Sequence, residues 1–125
     1  MTINIEKFVE QLKKNAGKIS QRRCAKYVRL ALEAGGARTT GHPHDAKAWG
    51  PTLLRNGFHV VASDDPAQFS AEKGDVVVMQ PPAASGAGHI QAYDGKNWVS
   101  DFVQTGFWPG PAYRKERPGY VVYRP

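Results

Sequence analysis

A thiol, an imidazole and a carboxylate occur in this sequence in an order that suits amide chemistry: Cys24, His89 and Asp101. A cysteine nucleophile needs a depressed thiol pKa, a base within reach, and a third group that fixes the base's tautomer. Cys24 falls near the start of a helical segment. There the helix dipole and unpaired backbone N–H groups favour thiolate, and Arg22 and Arg23 add positive potential. The same amides point to where the oxygen of a tetrahedral intermediate would form. His89 opens a strand after Gly86-Ala87-Gly88, small residues that leave room for a substrate backbone. Asp101 lies across the Asp94-Gly95 turn, where a cross-strand carboxylate would accept the imidazole N–H. Singly, each has an ordinary reading. Cys24 packs like any small apolar side chain or serves as a lone metal ligand, His89 sits on a strand edge, and Asp101 faces solvent.

The elements that must position these groups can be read from periodicity. Residues 4–16 repeat apolar side chains at Ile5, Phe8, Val9 and Leu12, which predicts a helix ended by Gly17. A second helix is expected from Ser20, as its N-cap, to Gly35-Gly36, with Cys24, Val28, Ala31 and Leu32 on one face. Asp45 to Arg55 reads as a third helix. Strands are expected at 58–61, 75–79, 89–93, 97–103 and 120–123, with an irregular, proline-punctuated stretch before the last. Helices first and then an antiparallel meander define an α+β class, and 125 residues suit one domain over 1–125.

Charge and composition narrow the setting. There are 17 basic and 11 acidic residues, a net +6 that favours polyanionic partners without choosing among them. No basic-aromatic repeat points to nucleic acid. No apolar run is long enough for a transmembrane helix, and the N-terminus lacks a signal-peptide pattern. The single cysteine excludes an intramolecular disulfide. His42, His44 and His59 lack the paired spacing of a closed zinc site, so no metal is expected. His44 and Trp98 are candidate walls of a substrate groove, whereas Trp49 reads as core. The basic residues Arg22, Arg23, Lys26 and Arg29 would attract carboxylates of a substrate, or simply be solvated.

Four blocks resemble the papain-like cell-wall peptidases of the NlpC and CHAP type. Residues 23–36 resemble the nucleophile helix of that superfamily, Gly74-Asp75-Val76-Val77-Val78 its Gly-Asp-hydrophobic strand, and Gly88-His89-Ile90-Gln91-Ala92-Tyr93 its Gly-His-hydrophobic strand. Asp101 stands where the third polar residue falls, about a dozen positions after the histidine. The blocks run in family order over roughly residues 20–125. Trp98-Val99-Ser100-Asp101-Phe102 and Trp108-Pro109-Gly110 are also similar to small amidases encoded by phages or delivered by secretion systems.

The resemblance implies a papain-like fold with helices packed on an antiparallel sheet. It implies a peptidoglycan amidase or endopeptidase acting through Cys24, His89 and Asp101, with Arg22, Arg23, Trp98 and His44 contacting substrate and no cofactor. The expected substrate is the peptide stem, with its D-Glu–diaminopimelate bond as one candidate. An injected toxin of this kind implies an immunity protein as partner. The chain is read as a monomer, made in the cytoplasm and acting in the periplasm after delivery by a secretion system or phage lysis. A cysteine acyltransferase or deamidase uses the same groups. A non-enzymatic basic binding module would not need Cys24 at all.

Overall fold

The computed structural model describes residues 3–18, 23–63, 70–82 and 86–125. Helix α1, Ile5–Asn15, starts where the Asn4 side chain accepts the Lys7 N–H at 3.0 Å, and it buries Phe8, Val9 and Leu12. Helix α2, Cys24–Ala34, buries Val28, Ala31 and Leu32. The two helices meet closely at Gly35, whose carbonyl accepts the Asn4 N–H at 2.7 Å. A Cβ there would lie 2.9 Å from the Asn4 carbonyl oxygen, so only glycine fits. Ser20, expected as the cap of α2, lies outside the described residues. Arg23 flanks the helix instead, and its N–H donates to Asp101 Oδ2 at 2.8 Å.

The expected third helix is broken in two. Ala46–Ala48 forms a single 3-10 turn, and α3 covers Gly50–Arg55. Pro51 explains the break: it has no N–H to continue a helix from the preceding turn, but fits the first turn of a new one.

Five strands form one antiparallel sheet: β1 His59–Ser63, β2 Val76–Met79, β3 His89–Tyr93, β4 Trp98–Val99 and β5 Tyr120–Arg124. Their order is β1-β5-β2-β3-β4, which corrects the expected meander, because the last strand inserts between the first two. Val76 to Met79 are all buried because β2 is mid-sheet and covered on both faces. One face packs on α1, α2 and Trp49, and the other holds Val77, Met79, Trp98, Tyr120 and Val122. Phe107, Trp108 and Tyr113 close over that second face. Tyr113 belongs to α4, Pro111–Glu116, a short helix in the stretch that sequence patterning leaves irregular.

Asp75 ties the end of the sheet together. Fully buried, it accepts Arg124 Nε at 2.8 Å, Arg124 Nη2 at 2.9 Å and the Glu72 N–H at 2.9 Å. Asp75→Ala strands these donors, and is expected to cost about 2–4 kcal/mol, less than a wholly buried pair because Arg124 keeps Glu72 and some water contact. Urea unfolding should show a lowered midpoint at unchanged slope. A midpoint equal to that of the parent protein would remove Asp75 from the stabilising contacts.

Candidate active site

Cys24 is the first residue of α2 and is partly buried. Strand β4 pairs only with Ala92 and Tyr93, so the earlier edge of β3 is open to the start of α2. Across that edge the backbone N–H groups of Ile90, Ala25 and Cys24 itself favour the charged form of the Cys24 sulfur. Gly88 sets His89 at the head of β3. It has φ +80, and any Cβ would strike the Met79 carbonyl and Lys47. The glycine therefore makes room for the protein's own backbone, not for substrate as its sequence context led us to expect.

Cys24, His89, Asp101 and Tyr113 line one cavity of about 560 Å³ with Arg23 and His44. That volume suits a peptide-sized ligand. Arg23 is exposed at its rim, and His42 stacks on Trp49 with ring centroids 5.6 Å apart. Trp49 is buried, as expected of a core residue. Arg22 lies outside the described residues. Trp98 corrects a sequence expectation: it is buried among Tyr93 and Phe107 beneath the second face and is not among the cavity's walls. Among the described residues, no group of three His, Cys, Asp or Glu side chains is arranged to hold a metal ion. No helix there is long and apolar enough to cross a membrane.

The imidazole is held by a residue that sequence reasoning missed. His89 Nε2 lies 2.9 Å from Gln104 Oε1. The Gln104 amide orientation follows from its other contacts. Its Nε2 donates to Gln91 Oε1 at 2.9 Å, to the Gly106 carbonyl at 3.0 Å and to the Phe107 carbonyl at 3.2 Å. A flipped amide would set oxygen against three oxygens. Oε1 therefore faces His89, Nε2 of the imidazole carries the proton, and Nδ1 keeps the free lone pair.

Asp101 was expected in the place Gln104 takes. A continuous 97–103 strand, kept in the register of Ala92 with Val99, would set Phe102 opposite His89 with Asp101 one residue away, but the chain turns back after Val99. Ser100 N–H bonds the Phe102 carbonyl at 3.0 Å, and Gln104 N–H bonds the Trp98 carbonyl at 2.9 Å. Val99 and Val103 form an antiparallel bridge across this reversal. Asp101 instead caps the start of α2 through the Arg23 N–H and acts on His89 by charge. No local pattern marks Gln104, because a buried amide follows no periodicity.

Electrostatics also differ from the sequence expectation. Burial is the largest influence on Cys24 and pushes the thiol pKa up; Asp101 adds to the rise, while the three backbone N–H groups oppose it. Burial likewise pushes His89 down, against the Gln104 and Gln91 amides and the Asp101 carboxylate. Desolvation thus favours the neutral form of both groups, against the pull of the backbone N–H groups on the thiol. Burial holds the thiol pKa above its ordinary value, so ionisation needs a higher pH than for a free cysteine. Alkylation of Cys24 by iodoacetamide should keep rising with pH through 9.0. A rate already level at neutral pH would show a preformed thiolate and reverse this assignment.

No protein-family profile matches the chain, and no curated protein sequence does. The fold and site define an α+β protein with a thiol at a helix start beside a strand histidine. Two solved structures are similar along nearly the full length. One is the type VI native effector–immunity complex Tae3–Tai3 from Ralstonia pickettii, with a TM-score of 0.84 and 40% identity over 98% of this chain and 98% of that chain. The other is its selenomethionine form, with a TM-score of 0.80 and 42% identity over 94% of this chain and 98% of that chain. The chain belongs to the Tae3 family of type VI effectors.

Proposed function

We propose that the protein is a peptidoglycan amidase toxin that hydrolyses an amide bond of the cell-wall peptide stem through a cysteine mechanism. The observation that carries this is the grouping of Cys24 and His89 in one cavity, with His89 locked by Gln104 in the tautomer a general base needs. The Cys24 thiol gives its proton to His89 Nδ1 as Sγ bonds to the scissile carbonyl carbon. The carbonyl electron pair moves onto oxygen. When the tetrahedral intermediate collapses, the C–N bond breaks and the amine leaves with the proton from His89, giving a thioester. Water then adds to the thioester, with its proton taken by His89, and releases the carboxylate and the thiol. The neutral thiol and imidazole, which burial favours, suit this proton traffic. No cofactor enters the sequence of steps.

The other roles follow from position. Arg23 at the rim, with Lys26 and Arg29 beside it, supplies positive potential for the carboxylates of a peptide stem. His44 forms part of the opposite wall. The order of Cys24, the Gly74-Asp75 strand and the Gly88-His89 strand is the one that the resemblance to papain-like NlpC and CHAP peptidases implies. The likeness to an effector–immunity complex supports an immunity protein as partner and type VI delivery to a rival's cell wall. The test is digestion of purified peptidoglycan, with products identified by mass spectrometry. New amine termini that require Cys24 support the reading and name the bond. Intact walls of several chemotypes would sink it.

A further inference from the structure

Five of the six residues of α4 are exposed; Tyr113 alone turns inward. Its ring packs on the His89 ring, with centroids 5.8 Å apart and planes at 57°. It lines the same cavity as Cys24, close enough for a charge on that sulfur to act on its phenol. Among the described residues, its hydroxyl has no hydrogen-bond partner. Phenylalanine would provide the same packing without leaving a donor unpaired beside the thiol.

We infer that the Tyr113 hydroxyl is a hydrogen-bond donor to the carbonyl oxygen under attack, completing an oxyanion site with the backbone N–H groups that open α2. Those amides belong to α2, and Tyr113 lines the same cavity from α4, so the two would meet the oxygen from different elements. Burial and the neighbouring sulfur push the phenol up to about 12, so it keeps its proton at any pH at which the thiol reacts. The donor needs no proton transfer: it accepts no charge, and its O–H bond persists while negative charge grows on the substrate oxygen and then returns to the carbonyl. This assignment rests on the amide-cleaving reading of the site.

Two reactions of Cys24 separate this role from simple packing. Acylation by p-nitrophenyl acetate develops an oxyanion; alkylation by iodoacetamide does not. Tyr113→Phe, which keeps the ring, should slow acylation by about a hundredfold, the scale for loss of one preorganised oxyanion donor. Alkylation should stay within about twofold, with the same thermal midpoint as the parent. Acylation unchanged in Tyr113→Phe, or a parallel fall in both reactions, overturns the assignment. So does a parent protein that is acylated no faster than Cys24→Ala. Peptidoglycan digestion run alongside tells the two readings apart. Tyr113-dependent acylation with intact walls removes the wall substrate and leaves the oxyanion site standing.

Discussion

On the proposed function, Cys24→Ala is expected to lower amine release from peptidoglycan by more than about a thousandfold, because the covalent route would be lost and only binding and polarisation of the carbonyl would remain. The fold should survive. The sulfur is a partly buried atom at the edge of the core, and its removal is expected to cost on the order of 1 kcal/mol. Initial rates of new amine formation, measured on one wall preparation, check the first expectation, and thermal unfolding the second. Cys24→Ser is the stricter comparison. It keeps a hydroxyl within reach of His89, yet an alkoxide is far harder to generate than a thiolate, so it too should be nearly inactive. Residual activity within tenfold of the parent in either variant would place the chemistry elsewhere and return the basic binding module to the front.

Gln104→Leu is expected to impair both stability and rate. It strips the partner from His89 Nε2 and leaves Gln91 Oε1 and the Gly106 and Phe107 carbonyls without their shared donor. Stranding buried groups of this kind costs about 2–5 kcal/mol in total. The imidazole then loses its fixed tautomer, and kcat should fall by about a hundredfold or more with little change in KM. Gln104→Glu separates orientation from mere filling. A carboxylate at this point favours imidazolium, raises the His89 pKa and shifts the alkylation profile of Cys24 toward acid. Asp101→Asn provides the contrast. Asp101 holds the Arg23 N–H at the start of α2, so its amide should cost less activity than Gln104→Leu. A larger loss in Asp101→Asn would assign the positioning of His89 to Asp101.

The tests depend on how tightly the neighbourhood is built. Gly88 is confined by Met79 and Lys47, and Lys47 in turn donates through Nζ to the Gly86 carbonyl at 3.0 Å and through its backbone N–H to the Ala87 carbonyl at 2.8 Å. Residues 86–88 are thus held against the 3-10 turn on one side and β2 on the other. On the far wall, Arg29 pairs with Glu33 at 3.1 Å, and Glu33 also accepts from Thr39. That hydrogen bond from Thr39 is the main reason the Glu33 carboxyl is held below its ordinary pKa. Part of the basic charge of α2 is therefore engaged within the protein, whereas Arg23 and Lys26 are exposed.

Features set by short-range pattern were legible in the sequence. The apolar repeat of Ile5, Phe8, Val9 and Leu12 made α1, the glycine pair after Ala34 ended α2, and Asp94-Gly95 turned β3 into β4. The α+β class and the strand at His89 follow from the same local rules, since one turn of helix or one hairpin is decided within a few residues. The tertiary structure alone decided what depends on distant partners. It placed β5 between β1 and β2, reversed the chain after Val99 so that Gln104 and not Asp101 meets His89, and turned Tyr113 toward Cys24. It also set the thiol pKa upward, against the pull of the helix start. Periodicity records which face of an element is apolar. Desolvation and hydrogen bonds between remote segments are properties of the packed chain, and no spacing in the sequence encodes them.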